Sequence, residues 1–202
     1  MKVKIITMLI SIGIMGVFIP GVTTRIETEN LQRKLAEEIF RFHVLANSDS
    51  EEDQNLKMEV KDHIVNYMKL KIPAAKNREE TKKWAETHLS EIEEEALSIV
   101  RRNGYDYDVN AEVTKSMFPE KTYGDLTFPE GIYETLRISI GKGRGRNWWC
   151  VLYPNLCFLD CVHAVVPEEG KEKLKEKLTV DEYDMITAYH TFKVKCFFFG
   201  KK

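Results

Sequence analysis

Cys150, Cys157, Cys161 and His163 fall within fourteen positions of one another, close enough for soft ligands to close around a zinc ion. No C-x2-C pair is present, however, and thiols exported from a cell tend to oxidise, so no metal site is expected. Cys150 could instead be a nucleophile if His43, His63, His88, His163 or His190 stood beside it. It sits in an apolar, strand-like run, where a thiol is buried and inert. His43 alternates with apolar neighbours, the pattern of a structural histidine. No H-E-x-x-H, G-x-S-x-G or paired-carboxylate spacing occurs elsewhere. The expectation is no catalytic, cofactor-binding or metal residue. A third chemistry is a staple: Cys150 and Cys157 enclose six residues that include the turn pair Pro154-Asn155. A tight turn there could bring the two thiols within disulfide range.

Just before Cys150 the chain reads GKGRGRNWW, residues 141–149. The glycines do not follow the phosphate-loop pattern, and two tryptophans stand where a helix should open. A hairpin loop with exposed charge fits better than an anion-binding loop. Trp148 and Trp149, adjacent on a strand, must point to opposite faces. One can fill the core while the other lies at the surface beside the basic loop, the composition of an interface hot spot. The candidate partner-binding residues are Lys142, Arg144, Arg146, Asn147, Trp148 and Trp149. Asn47 and Asp49 join them, because their turn also follows a strand end; helix capping is the simpler role of that turn.

These residues need a scaffold. Residues 39–44 alternate Ile39, Arg41 and His43 against Phe40, Phe42 and Val44, a strand period. Ser50-Glu51-Glu52-Asp53 reads as a capping box, and Leu56, Val60, Ile64 and Tyr67 then form a helical stripe that ends at Pro73. A second long helix is expected from Asn77 to Asn103-Gly104, with Trp84, His88, Ile92, Ala96 and Val100 on one face. Strands are predicted around Tyr107–Val113, Ile132–Ile140 and Trp148–Tyr153. The FPEKTYGDLTFPEG segment is too broken for a central strand. Residues 168–178 predict a short charged helix and residues 187–199 a last strand, with an apolar helix as the alternative. The order predicts an α+β fold, with two long helices packed on an antiparallel or mixed sheet.

Lys2 and Lys4 precede an uncharged run from Ile5 to Ile19, which Pro20-Gly21 ends. That is the form of an export signal, either cleaved or kept as a membrane tether through residues 5–19. Residues 1–24 therefore predict a signal peptide or anchor, 25–38 a lead-in with helical character, and 39–202 a single domain. Without residues 1–24 the chain holds 28 basic against 32 acidic side chains, which argues against a nucleic-acid partner.

Two stretches, IFRFHVLANSDSEEDQNLKMEVKD (39–62) and FPEKTYGDLTFPEGIYETLRISIGKGRGRNWWCVLYPNLCF (118–158), together with the export segment, resemble the stage II sporulation protein R family of spore-forming Gram-positive bacteria. The resemblance covers roughly residues 39–158, and the tail from Leu159 is less typical. It implies a signalling protein rather than an enzyme, without cofactor. Such proteins are made in the forespore and exported into the intermembrane space. There they trigger a membrane-embedded aspartic protease of the mother cell, which processes pro-sigma-E. The rival expectations from residues alone are an exported envelope-binding domain and a cysteine-dependent enzyme.

Overall fold

The computed structural model describes residues 27–72, 77–154 and 168–187. The expected export segment, Cys157, Cys161, His163, His190 and Cys196 lie outside them, as does the expected last strand at 187–199 except for Thr187, which ends a helix. Among the described residues no helix is long and apolar enough to cross a membrane.

The elements run α1 (27–38), β1 (Phe40–Leu45), α2 (Glu51–Lys71), α3 (Arg78–Thr87), α4 (Leu89–Arg102), β2 (Val109–Phe118), β3 (Lys121–Tyr123), β4 (Leu126–Phe128), β5 (Gly131–Ile140), β6 (Asn147–Tyr153), α5 (Glu168–Lys177) and α6 (180–187). The fold is α+β with a mixed sheet of order β2-β5-β1-β6. β1 runs parallel to β5 and antiparallel to β6, while β2 and β5 pair antiparallel along their full lengths. β3 and β4 form a separate hairpin, so the proline- and glycine-broken segment folds outside the main sheet.

β1 is buried on both faces, and its period of two sends alternate side chains into two cores. On one face Phe42 and Val44 join Leu136, Ile138 and Leu152 against Leu56, Val60 and Ile64 of α2 and Ile92, Ala96 and Val100 of α4. The other core gathers Phe118, Tyr133 and Val151 under Leu31 and Leu35 of α1, Leu126 and Phe128 of the hairpin, and Leu174 and Ile186 of α5 and α6. Each fully buried leucine contributes roughly 1.5–3 kcal/mol. From residue 27 the lead-in segment is thus helical, and its apolar side is packed beneath the sheet.

The second long helix of the sequence reading is two helices. Thr87 turns its hydroxyl back on the Lys83 and Trp84 carbonyls, and His88 leaves helical geometry at φ −116°, ψ 17°. The His88 ring stacks on Trp84 with centroids 4.5 Å apart. Ala85 rather than Trp84 is then fully buried, while Ile92, Ala96 and Val100 keep their predicted face.

Candidate functional site

Parallel pairing of β1 and β5 puts the C-terminal ends of both strands at one edge of the sheet. Two loops leave from there: residues 46–50 into α2, and residues 141–146 into β6. They interlock. The Gly145 amide donates to the Ala46 carbonyl at 2.9 Å and the Arg144 amide to the Asn47 carbonyl at 3.3 Å. The Lys142 amide donates to Asn47 Oδ1 at 3.0 Å, and the Arg146 amide to Asp49 Oδ1 at 2.6 Å. Gly141 has φ +56°, and a Cβ there would lie 2.4 Å from Asn47 Oδ1; at Gly145 it would lie 2.1 Å from the Ser48 carbonyl oxygen. Glycine is required at the first by backbone handedness and contact, and at the second by contact alone.

Beneath the loops stands the first turn of α2. Ser50 caps it by accepting from the Asp53 amide at 3.2 Å. The Asp53 carboxylate does not return to the Ser50 amide as a capping box would. It accepts from Asn47 Nδ2 at 2.8 Å and from Ser48 Oγ at 2.5 Å. Burial pushes this carboxyl up, but the hydrogen bonds from Ser48, Asn47 and Tyr107 outweigh it and hold its pKa below the usual aspartate value. Gln54 Nε2 donates to the Ser48 carbonyl at 2.9 Å, and the buried Lys57 ammonium donates to the Arg146 carbonyl at 3.1 Å. Burial, then the charge of Arg146, lowers the Lys57 pKa.

The predicted partner-binding residues thus fall together, in unequal roles. Asn47, half-buried, and Asp49, exposed, are the struts of the loop pair. Arg146 is exposed and turns its Nε toward Asp49 Oδ1 at 3.5 Å. Lys142 and Arg144 are exposed, and among the described residues neither forms an ion pair. Trp148 and Trp149 do point to opposite faces, yet both are half-buried. Trp148 meets Phe42 edge-on at 5.7 Å and carries the Lys61 ammonium 5.1 Å from its ring centroid. Trp149 stacks on His43 at 4.9 Å and 9°. Asn147 is half-buried, with its Oδ1 enclosed and without a hydrogen-bond partner among the described residues.

Cys150 is buried in the helix-side core as a free thiol, 3.9 Å from the Val151 carbonyl oxygen. It belongs to the face of the sheet opposite His43, which rules that histidine out as its base. Its expected disulfide partner, Cys157, lies outside the described residues. His43 is itself lowered to about 3, by burial first and then by the charges of Arg137 and Arg41.

Sequence reasoning missed Asp53 and Lys57 as parts of the site, although the signal was present. Asp53, Lys57 and Lys61 recur at four-residue spacing beside Leu56, Val60 and Ile64, so they share the packed side of α2.

The chain matches the family described as stage II sporulation protein R over residues 36–163, a span that holds β1 to β6 and both interlocked loops. It is also similar to the stage II sporulation protein R of Bacillus subtilis (strain 168), with 35% identity over 153 residues, covering 75% of this chain and 68% of that protein. No solved structure matches. The chain belongs to the stage II sporulation protein R family, and its role lies in sporulation.

Proposed function

We propose that this protein is an exported signal between the two cells of a sporangium. It leaves the forespore, enters the intermembrane space and activates a membrane-embedded aspartic protease of the mother cell, leading to processing of pro-sigma-E. Family membership supports this reading, and one observation supplies the means: an interlocked loop pair that presents Lys142 and Arg144 outward with no counter-charge among the described residues. An activator shifts its receptor only by binding the active form more tightly than the inactive one. A preorganised loop pair loses little freedom on docking, so more of its contact energy is available for that difference. Charge on the rim steers encounter and orientation. In this reading Lys142, Arg144 and Arg146 meet an acidic patch on the receptor, and Asn47, Asp49, Asn147, Trp148 and Trp149 hold them in place.

The test is a reporter strain in which the chain is the only source of the signal. Lys142→Ala combined with Arg144→Ala should leave the unfolding midpoint unchanged and abolish pro-sigma-E processing. A folded, exported double variant that still triggers processing at the normal rate sinks the assignment of this surface.

A further inference from the structure

The second face of the sheet buries a positive charge that has no negative partner among the described residues. Arg41 is 0% exposed. On β1 it lies between Thr135 of β5 and Val151 of β6. Its guanidinium carbon is 4.2 Å from the Phe118 ring centroid, 4.9 Å from Tyr133, 5.8 Å from Phe128 and 5.9 Å from Tyr123. Nε donates to the Cys150 carbonyl at 3.4 Å and Nη2 to the Tyr123 hydroxyl at 2.9 Å. Among the described residues Nη1 has no hydrogen-bond partner and no carboxylate pairs with the guanidinium. Aromatic faces offset part of the cost of burying such a charge, but they leave its N–H groups unsatisfied.

The guanidinium offers two edges. The Nε side is committed to a backbone carbonyl. The Nη1/Nη2 side faces two neutral phenols, Tyr123, which accepts from Nη2, and Tyr133, although it is a fork that matches the two oxygens of a carboxylate. One of the two phenols covering that edge stands outside the main sheet. Tyr123 is half-buried on the β3–β4 hairpin, whose strands pair only with each other. The hairpin is held by the burial of Leu126 and Phe128 and by the Lys171–Asp125 ion pair at 2.8 Å.

We propose that Arg41 in its aromatic box is a binding site for a carboxylate, carried by an acidic side chain or chain end of a protein partner. The carboxylate displaces the Tyr123 hydroxyl from Nη2 and takes Nη1 and Nη2 together. The site is separate from the loop pair and does not depend on the signalling role.

The probe is sodium acetate, added to the full-length chain in uncharged detergent, with sodium chloride at matched ionic strength as control. The readouts are the Arg41 Nε–H NMR resonance and the urea unfolding midpoint. Acetate should move the resonance saturably and raise the midpoint, and chloride should do neither. Tyr123→Phe removes the competing hydroxyl and should tighten acetate binding several-fold. Arg41→Met should lose the response and unfold no earlier than the parent chain, because an uncompensated charge leaves the interior. A capped Gly-Glu-Gly amide and a Gly-Gly-Gly acid then tell a side-chain carboxylate from a chain end. Equal effects of acetate and chloride, or an unsaturable shift, would overturn the proposal. So would an Arg41→Met chain that unfolds far earlier or does not fold, since the guanidinium would then be a satisfied structural group.

Discussion

Replacing Gly145 by alanine should separate the two loops. The added Cβ would stand 2.1 Å from the Ser48 carbonyl oxygen, and the obstacle is backbone, which cannot rotate aside. The loops must part by more than an ångström to restore ordinary contact. Of the four hydrogen bonds between the loops, three lie beside Gly145: Gly145 to Ala46, Arg144 to Asn47, and Arg146 to the Asp49 carboxylate. Two neutral bonds contribute about 1 kcal/mol each and the charge-assisted one about 2, so the loss is about 3–4 kcal/mol. For a chain of this size that lowers Tm by about 10 °C. Gly104→Ala is the internal control. Gly104 has a positive φ, at +79°, which Gly145 does not, and a Cβ there would meet nothing within 4 Å. It should cost only the backbone term, about 1–2 kcal/mol. Urea unfolding of both variants at one pH separates contact from conformation. If Gly145→Ala unfolds within about 1 kcal/mol of the parent, or no earlier than Gly104→Ala, the loops are not interlocked as described.

His43 has a folded pKa of about 3, below its unfolded value, so protons bind the unfolded chain first and stability falls with pH across that window. The slope is about 1.4 kcal/mol per pH unit between roughly pH 6 and pH 3, and His43→Phe should remove it; an unchanged slope in urea titrations would show that His43 is accessible to protons. Asp53 has the opposite charge type but a lowered pKa, so its stabilisation is present near neutrality and fades as pH falls through the folded value. Asp53→Ala should cost about 3 kcal/mol at pH 7, because the Asn47 and Ser48 donors lose a charged acceptor, and the difference from the parent should narrow in acid. In native buffer the Cys150 peptide should resist alkylation, and in urea without reductant it should label; a peptide that stays unlabelled until reduction would show Cys150 to be bridged.

The sequence made the elements legible more readily than their pairing. Phe40 to Val44 alternates clearly enough to name a strand, and Ser50 with its three following acids names a helix start. Nothing local says that β1 lies parallel to β5, because that partnership joins residues more than ninety positions apart and is decided by the two cores. The break at His88 was hidden for a different reason. Residues 84, 88, 92, 96 and 100 keep a four-residue stripe across it, and Thr87 ends the helix through side-chain hydrogen bonds rather than through glycine or proline. Asn47 and Asp49 were legible as neighbours of the basic loop, since both loops follow strands. Arg41 was not legible as a buried charge. In a strand that alternates polar with apolar residues, an arginine reads as solvent-facing, and only the second core over that face makes it interior.

That second core also explains why one strand can serve two surfaces. The side chains of Phe42 and Val44 fasten β1 to the helices, which fixes where its end delivers Asn47 and Asp49. Arg41 and His43 occupy the alternate positions and face away. A register slip of one residue would exchange these sets, placing a guanidinium among aliphatic side chains and two apolar groups in the aromatic box. The buried charge therefore opposes misregister, because the slipped state loses both the rings around Arg41 and the hydrogen bond to Tyr123. Arg41→Met would relax that discrimination while leaving the correct register intact. The geometry of the loop pair should thus survive the substitution, and the carboxylate site alone should be lost.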